Sequence, residues 1–451
     1  MGHGHAHDHG ALDRVPVARR PRTILLTVLA VLAVATVAGL VVLWPSGASA
    51  TRSGSASYAV KGTTFPTGEI VRIGEECPDA AGANTSAGDA ASGVGGTASG
   101  ARSAASACRL AEVRLESGPR KGKTVTVALR GPFASAGLRA GDTLELMDIP
   151  LDPSFSAPAG ANGGADPGIS VFGVVRTVPL MLWAALFLIV VVAVGLHRGL
   201  LAIVGLVFAG GMIVLFVLPA LLGGGPATAI ALVGASAILY VVLYLAHGVS
   251  VRTSAALAGT LGGVLITAVI ALSAVSTTRL SGIDESAGFL SGMTSNLDFQ
   301  GLLTCAIVIA GLGVLNDVTI TQSSAVWELR AAAPAMSRRQ LFRRAMRIGR
   351  DHIASTIYTI VFAYVGASLS VVLLLYVYDQ PVISVLGYEE IATEIIRTLV
   401  SGIGLVLAVP LTTAIAVILL PAASSGPTTP EPLAERDAET IAWLKTMNGT
   451  A

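Results

Sequence analysis

Charged and aromatic residues are scarce in this chain, and cysteine is scarcer still. Asp, Glu, Lys and Arg make up 13% of the sequence, aromatic residues 5%, and there are 3 cysteines in 451 residues. Apolar residues reach 53%, and the formal net charge is only +1. This composition lacks the basic surface of a nucleic-acid-binding protein. It is typical of a helical bundle whose surface faces lipid.

Common catalytic motifs are also missing. The sequence contains no Gly-x-Ser-x-Gly, no His-Glu-x-x-His and no phosphate-binding glycine loop. Its scattered polar residues do not assemble into a nucleophile with a base, and they imply no cofactor. We therefore predict that the protein is not an enzyme, although a carboxylate and a histidine from adjacent helices could do acid–base chemistry.

The sequence has instead eight apolar stretches of about 18 to 25 residues. Each is long enough to cross a hydrocarbon core of about 30 Å, because a helix rises about 1.5 Å per residue. We predict spans near 23–44, 179–196, 199–222, 226–246, 253–276, 300–320, 353–377 and 396–420. The predicted fold class is an α-helical integral membrane bundle of about eight transmembrane helices, with a small extracytoplasmic β-rich domain after the first helix.

Basic residues predict how the chain is oriented in the membrane. Arginines precede the first span, and seven more lie in a loop at 321–352, so both regions are expected in the cytoplasm. The first span is longer than the apolar core of a typical signal peptide, so we predict a retained anchor. The alternative is a signal peptide that is cleaved at 48–50. High Ala, Gly and Arg contents indicate a GC-rich bacterial genome, and hence the bacterial inner membrane. The predicted regions are a histidine-rich cytoplasmic tail at 1–22, an anchor at 23–44, an extracytoplasmic β-rich domain at 45–178, a membrane bundle at 179–420 and a cytoplasmic tail at 421–451.

The region 45–178 has the pattern of a small β-barrel or sandwich. Short β-branched or alternating runs predict strands at 69–73, 110–115, 124–129 and 143–147, and a Pro/Gly-rich stretch at 150–170 reads as a linker. Cys77 and Cys108 bracket a Gly/Ala/Ser-rich insert at 78–107 that has almost nothing to bury. Outside the cytoplasm these thiols are expected to form a disulfide. The alternative is two unpaired cysteines.

Two polar stripes stand out among the apolar spans. If the sixth span continues as a helix, Asp317, Thr321 and later polar residues recur at helical spacing, and a second stripe opens the seventh span at His352. Ionisable groups at membrane depth are costly and usually face a cavity or a partner, so Asp317 is expected to pair with His352 or Arg350. The candidate transport site is Asn316, Asp317, Thr321, Ser324, Glu328, Arg350, Asp351 and His352. Alternatively, Asp317 lies at the headgroup level and merely anchors the helix ends.

Four further patterns stand out, and the first two have competing interpretations. Histidines in the first ten residues, His3, His5, His7 and His9, could bind Zn²⁺ or Ni²⁺, or form a dispensable low-complexity tail. The segment 337–350 is an amphipathic basic helix that could contact anionic lipid, although topology alone also places arginines there. Ala255, Gly259 and Gly263 predict close helix packing. The spacing of Glu394 and Arg397 predicts an i, i+3 ion pair.

Several of these segments resemble the YibE/F-like family of bacterial multi-pass membrane proteins. The resemblance lies in residues 316–319, 322–328, 349–352 and 410–412, with Arg176 and residues 197–200. It implies an N-terminal anchor, an outer β-rich domain and a helical bundle, but no settled activity. The insert at 78–107 and the histidine-rich N-terminus look like additions to the family pattern.

Three functions are compatible with these observations. The polar stripes and the number of spans favour a transporter or permease for a small solute or ion. The alternative is a membrane-anchored sensor or assembly factor that acts through its outer domain without transport. A membrane enzyme ranks last. Beyond the lipid bilayer, no partner follows from the sequence.

Overall fold

The structure is a computed structural model that describes residues 15–45, 62–77, 108–150, 165–284, 287–288, 290–291, 297–377 and 381–422. The chain divides into two compact units. Gly54–Val194 forms one of them, which we call the β unit. Met1–Ser53 and Gly195–Ala451 form the other, which we call the bundle.

Five antiparallel strands build the β unit. They are β1 (Thr67–Glu76), β2 (Cys108–Leu115), β3 (Thr124–Arg130), β4 (Thr143–Asp148) and β5 (Ile169–Val174), in the order β3-β2-β1-β4-β5. Alternate residues of each strand are buried, as Val125, Val127 and Leu129 are on β3. The four strands expected from the sequence are confirmed. The fifth was missed because its Pro/Gly-rich approach reads as the end of a linker.

The edge strands of this sheet approach each other and close it. The N–H of Asp166, just before β5, donates to the carbonyl of Thr126 on β3 at 2.8 Å, and the N–H of Thr126 donates to the Asp166 carboxylate at 2.7 Å. Ile70, Val113 and Leu144 are fully buried inside. This strand order with this closure is that of the OB-fold, a five-stranded Greek-key barrel.

A disulfide joins the end of β1 to the start of β2. Cys77 and Cys108 are bonded through their sulfur atoms, with their Cα atoms 5.4 Å apart and a sequence separation of 31. Closing a loop of this length stabilises the folded state by about 3 to 4 kcal/mol in the chain-entropy account. The insert at 78–107 lies outside the described residues.

Arginine and acidic side chains of the barrel form ion pairs. Arg72 donates to Glu112 at 2.5 Å, and Arg114 donates to Glu69 at 2.6 Å. The hydrogen bond from Arg72, reinforced by its charge, holds the pKa of Glu112 below its usual value. Asp148 accepts from the Arg120 side chain, and this hydrogen bond raises the pKa of Arg120. The two exposed pairs, Arg72–Glu112 and Arg114–Glu69, contribute little to stability.

Eight helices longer than one or two turns make up the described helical part of the chain. They are α1 (Arg19–Leu43), α2 (Thr177–Met212), α3 (Ala227–His247), α4 (Val251–Thr278), α5 (Phe299–Ala332), α6 (Arg338–Ala367), α7 (Leu369–Val377) and α8 (Glu389–Leu419). A π-helical turn, Ile213–Val217, and the short helix Leu218–Leu222 extend α2. Two other short helices are Pro132–Ser135 and Val382–Leu386.

Six helices in the described residues are long and apolar enough to cross a membrane. The number is 7 if α6 and α7, which meet at a bend of 66°, count as one broken span. The segment Thr177–Leu222 counts once although its 46 residues are about twice the length a span needs. Leu196 interrupts it, with a left-handed φ of 51°. The count of eight requires two spans here and stays a prediction.

Glycines let α4 and α8 approach closely. A Cβ added to Gly259 would lie 2.0 Å from the Thr412 hydroxyl oxygen, and one added to Gly263 would lie 3.0 Å from the Ala408 Cβ. Ala255, one turn before Gly259, is fully buried. The packing stripe expected from the sequence is therefore confirmed, and α8 is its partner.

The segment 321–352 is helical except for the turn between α5 and α6. Ser337 and Gln340 form a capping box at the start of α6. Arg330 donates to the carbonyls of Pro334 and Met336, which fixes the turn. Arg338 donates to the carbonyls of Ile418 and Leu420, which have no helical partner at the end of α8. These two arginines hold the α5–α6 hairpin against the end of α8.

Candidate functional site

Most of the bundle's arginines lie at one end, which we call the basic end. At this end α3 meets α4, α5 meets α6, and α8 stops. The N–H of Ala18 donates to the carbonyl of Leu419 at 2.8 Å, so α1 also begins here. The arginines near this end are Arg19, Arg20, Arg22, Arg252, Arg330, Arg338, Arg339, Arg343, Arg344, Arg347 and Arg350.

Helix lengths give the depth of Asp317. With 21 residues, α3 is about 31 Å long and matches the hydrocarbon core. Its first residue, Ala227, faces the start of α5, because a Cβ on Gly301 would lie 2.7 Å from the Ala227 Cβ. The two helices run in the same direction, so His247 is level with position 321 of α5. Asp317 lies four residues earlier, which is about 6 Å or one turn before the level at which α3 ends.

Asp317 of α5 meets His352 of α6 at this depth. Asp317 Oδ2 lies 3.8 Å from His352 Nε2, an ion pair only when the imidazole is protonated. The distance is too long for a hydrogen bond. The Asp317 side chain is 71% exposed on the outside of the described helices, and that of His352 is 34% exposed. Of the two partners expected for Asp317, His352 forms an ion pair with it, and no pair with Arg350 is found among the described residues.

Two buried polar atoms on α5 and α6 have no hydrogen-bond partner among the described residues. They are Nε2 of His352 and Oδ1 of Asn316, the residue before Asp317. The backbone carbonyl of His352 is satisfied, since it accepts from the Thr356 hydroxyl at 2.8 Å. Buried polar atoms are normally paired, and unpaired ones in a folded protein often mark a site for water, an ion or a proton. The Asp317–His352 pair therefore offers a carboxylate and an imidazole to such a ligand.

A further histidine, His247, lies near Asp317. Arg198, Arg252 and Asp317 lie within electrostatic range of His247, the last residue of α3. The sequence predicted that Arg198 and Arg252 share one side of the membrane. It gave no reason to add His247 to the site, because a histidine at the end of an apolar stretch reads as an interfacial residue.

The remaining members of the predicted site do not join it. Thr321 and Glu328 are exposed on α5 and Ser324 is half-buried, so the helix does carry a continuous polar stripe. Glu328, however, lies 11 residues beyond Asp317, which is about 16 Å along the helix. Arg350 and Asp351 are exposed on α6. Among the predicted residues, the structure therefore brings Asp317 and His352 together from two different helices.

The opposite face of α5 carries a buried set of polar residues that the sequence did not single out. We call Thr260, Thr319, Gln322 and Thr413 the polar seam. The hydroxyls of Thr260 and Thr319 lie 2.6 Å apart, and Gln322 Nε2 donates to the Thr413 hydroxyl at 2.7 Å. All four are buried and join α5 to α4 and α8. The polar seam could not be predicted from the sequence, because its hydrogen bonds depend on which helices are in contact.

Nothing in the described residues forms a group of three or more His, Cys, Asp or Glu able to hold a metal ion. The predicted metal ligands His3, His5, His7 and His9 lie outside the described residues. On the other side of the bundle, the expected pair is confirmed: Arg397 Nη1 lies 3.0 Å from Glu394 Oε1.

Fold and site together define an integral membrane protein with several apolar spans. A model of the family described as YibE/F-like protein matches residues 169–422, which is more than half of the 451-residue chain. The chain belongs to the YibE/F-like family, so the resemblance in its motifs is confirmed. The match begins at the first residue of β5. No curated protein and no solved structure matches the chain.

Proposed function

We propose that the protein is a transporter or permease for a small solute or ion, and that Asp317 and His352 form its protonatable site. The observation that carries the proposal is their 3.8 Å approach, about one turn before the level at which the apolar helix α3 ends. Aspartate and histidine are rare at membrane depth, and they commonly mark proton relays or ion pathways where they occur.

The chemistry of the pair is suited to coupling. When His352 is protonated, its charge neutralises Asp317, and the site is electrically balanced. When the proton leaves, the carboxylate is unpaired in a medium that strongly disfavours isolated charge, and a cation could replace the proton. Histidine is the side chain that titrates nearest to neutral pH, so physiological proton gradients could drive this exchange.

Interrupted helices lend further support. α6 and α7 meet at a 66° bend, Leu196 breaks the segment Thr177–Leu222, and α8 contains Pro410. Discontinuous helices near a polar site are common in secondary transporters, because they allow one group of helices to rock against another. We further propose that the basic end faces the cytoplasm of a bacterial inner membrane, with both termini on that side and the β unit outside.

Flux measurements test the proposal. Purified protein in proteoliposomes is assayed with a pH-sensitive dye and a panel of divalent cations, as wild type and as Asp317→Asn. The substitution keeps the side-chain size and removes the charge, so we expect at least about a tenfold loss of flux if the carboxylate binds the transported or coupling ion. Glu328→Gln is the matched control, since it removes an exposed carboxylate from the same stripe about 16 Å away.

Two results would contradict the proposal. Undiminished flux in Asp317→Asn protein would remove this residue from the transport pathway. Absence of flux in wild-type protein that is folded and correctly inserted would remove transport itself.

The β unit favours a second candidate, a sensor or assembly factor without transport. OB-folds commonly bind ligands on the β2–β3 face, flanked by the β1–β2 and β4–β5 loops. Deleting residues 62–174 should then abolish a co-purifying partner and leave the bundle folded. A protein that purifies alone and transports normally would contradict this candidate.

A further inference from the structure

α1 leaves a long groove between itself and the rest of the bundle. The groove has a volume of about 700 Å³ and is bounded by α1, α3, α4 and α8. Ile24, Val28 and Leu32 line it on one side, and Leu261, Leu265 and Leu411 line it on the other. No acidic side chain is found among the described residues that line it.

The groove has the dimensions of a lipid chain. Its lining residues on α1 run from Arg20 to Thr36, which corresponds to about 24 Å of helix. Half of a hydrocarbon core is about 15 Å, so the groove is longer than one leaflet. An acyl chain that enters from the basic end can therefore lie along α1 over the whole length of the acyl chain.

Positive charge stands at the basic end of the groove. Arg20 is exposed and lines the groove there. The Arg338 guanidinium donates to the carbonyl of Ile418, another lining residue, at 3.1 Å. Both arginines lie at the end of the bundle where α1 begins with Arg19, so a lipid headgroup at that end would meet their charge.

We propose that this groove binds one anionic phospholipid, with an acyl chain along α1 and the phosphate against Arg20. Burial of the chain gives no selectivity by itself, because the surrounding lipid is as apolar as the groove. Selectivity comes from the headgroup charge, for which one arginine near the membrane surface contributes about a fivefold preference. This proposal does not depend on transport, and apart from Arg338 it does not involve the arginines of 337–350.

Lipid retention measured by native mass spectrometry tests the site. Full-length protein in a neutral detergent is given phosphatidylglycerol or phosphatidylcholine with identical chains, and the lipids that remain bound are counted. Wild type should retain phosphatidylglycerol preferentially, and Arg20→Gln should lower that preference about fivefold. The matched control is Arg22→Gln, which removes the same charge two residues along α1 from a side chain that does not line the groove. This control should behave as wild type.

A second pair of variants tests the location. Ser236 and Ala35 line the groove from α3 and α1, and either Ser236→Phe or the exposed Ala35→Phe would fill it. Each should lose the bound lipid while both arginines remain. Gel filtration and the helical circular dichroism signal identify the variants that are folded.

Three outcomes would overturn the proposal. Equal retention of the two lipids by wild type would exclude headgroup selection. Equal effects of Arg20→Gln and Arg22→Gln would show that the arginines attract the lipid only through their general positive charge, not through a defined site. Unchanged retention in a folded groove-filling variant would place the lipid elsewhere.

Discussion

Charged side chains have different partners in the β unit and in the bundle. On the barrel, Arg72 and Glu112 pair on the outside, with side chains 70% and 39% exposed. In the bundle, Arg397 also pairs with Glu394, but Arg330 and Arg338 donate to backbone carbonyls at helix ends. Water solvates an exposed ion whether or not it is paired, whereas lipid does not. An ionisable group without a full set of partners is therefore informative only in the bundle, which is why Asp317 and His352 carry the functional proposal.

The largest effect that separates the two regions should come from the disulfide. Replacing Cys77 and Cys108 together with serine should destabilise the β unit by about 3 to 4 kcal/mol, because the unfolded chain regains the entropy of an open loop. The bundle should not respond. Hydrogen exchange of the full-length protein measures both at once: amides in β1–β4 should exchange faster, and those in α5 and α8 should not change.

The free cysteine gives the control for this experiment. Cys305 is buried in α5 and forms no disulfide. Cys305→Ser should alter exchange, if at all, only in the bundle. Faster exchange in α5 and α8 after loss of the disulfide would contradict the independence of the two units.

A smaller effect is expected from one methyl group between α4 and α8. In Gly259→Ala, the new Cβ would meet the Thr412 hydroxyl at 2.0 Å and its Cα at 3.1 Å, so one helix must shift. We expect a loss of about 1 to 3 kcal/mol in the free energy of unfolding, the usual cost of overpacking. Thermal unfolding in nanodiscs measures it.

Gly313 of α5 provides the comparison, because no atom lies within 4 Å of the Cβ it would gain. Gly313→Ala should be neutral or slightly stabilising, since alanine favours a helix more than glycine does. An equal loss of stability in both variants would show that helix propensity, not the contact between α4 and α8, sets the effect.

Local sequence patterns predicted the elements better than their contacts. Long apolar runs predicted the helices, and alternation predicted β1–β4, because both patterns depend on neighbouring residues alone. The sequence pattern did not predict β5, because Pro and Gly are frequent in the residues that precede it. Thr319 and Gln322 were missed as members of the polar seam because their partners, Thr260 and Thr413, are distant in sequence and lie in apolar runs.

The candidate site was predicted in part for the same reason. Asp317 and His352 are conspicuous in the sequence, because each is ionisable beside an apolar run. Their closeness follows from the α5–α6 hairpin, in which Asp317 precedes the turn by about as many residues as His352 follows it. Glu328 shares the stripe of Asp317, but a stripe on one helix extends along the membrane normal, so its members need not share a site.

The smallest effect should come from the exposed pair on the barrel. The pKa of Glu112 is lowered by the hydrogen bond and charge of Arg72. A lowered carboxyl pKa stabilises the fold above the ordinary value of 4.5, and this contribution is lost as the pH falls through the folded-state pKa. Arg72→Gln should thus slightly quicken hydrogen exchange in β1 and β2 at pH 7 and low salt, but not at pH 3 or in 1 M salt. Arg130→Gln, an exposed arginine on β3, controls for net charge. A difference between Arg72→Gln and wild type that persists at pH 3 would mean that Arg72 acts through packing of its aliphatic stem. The contrast between barrel and bundle would then rest on the disulfide and on Asp317.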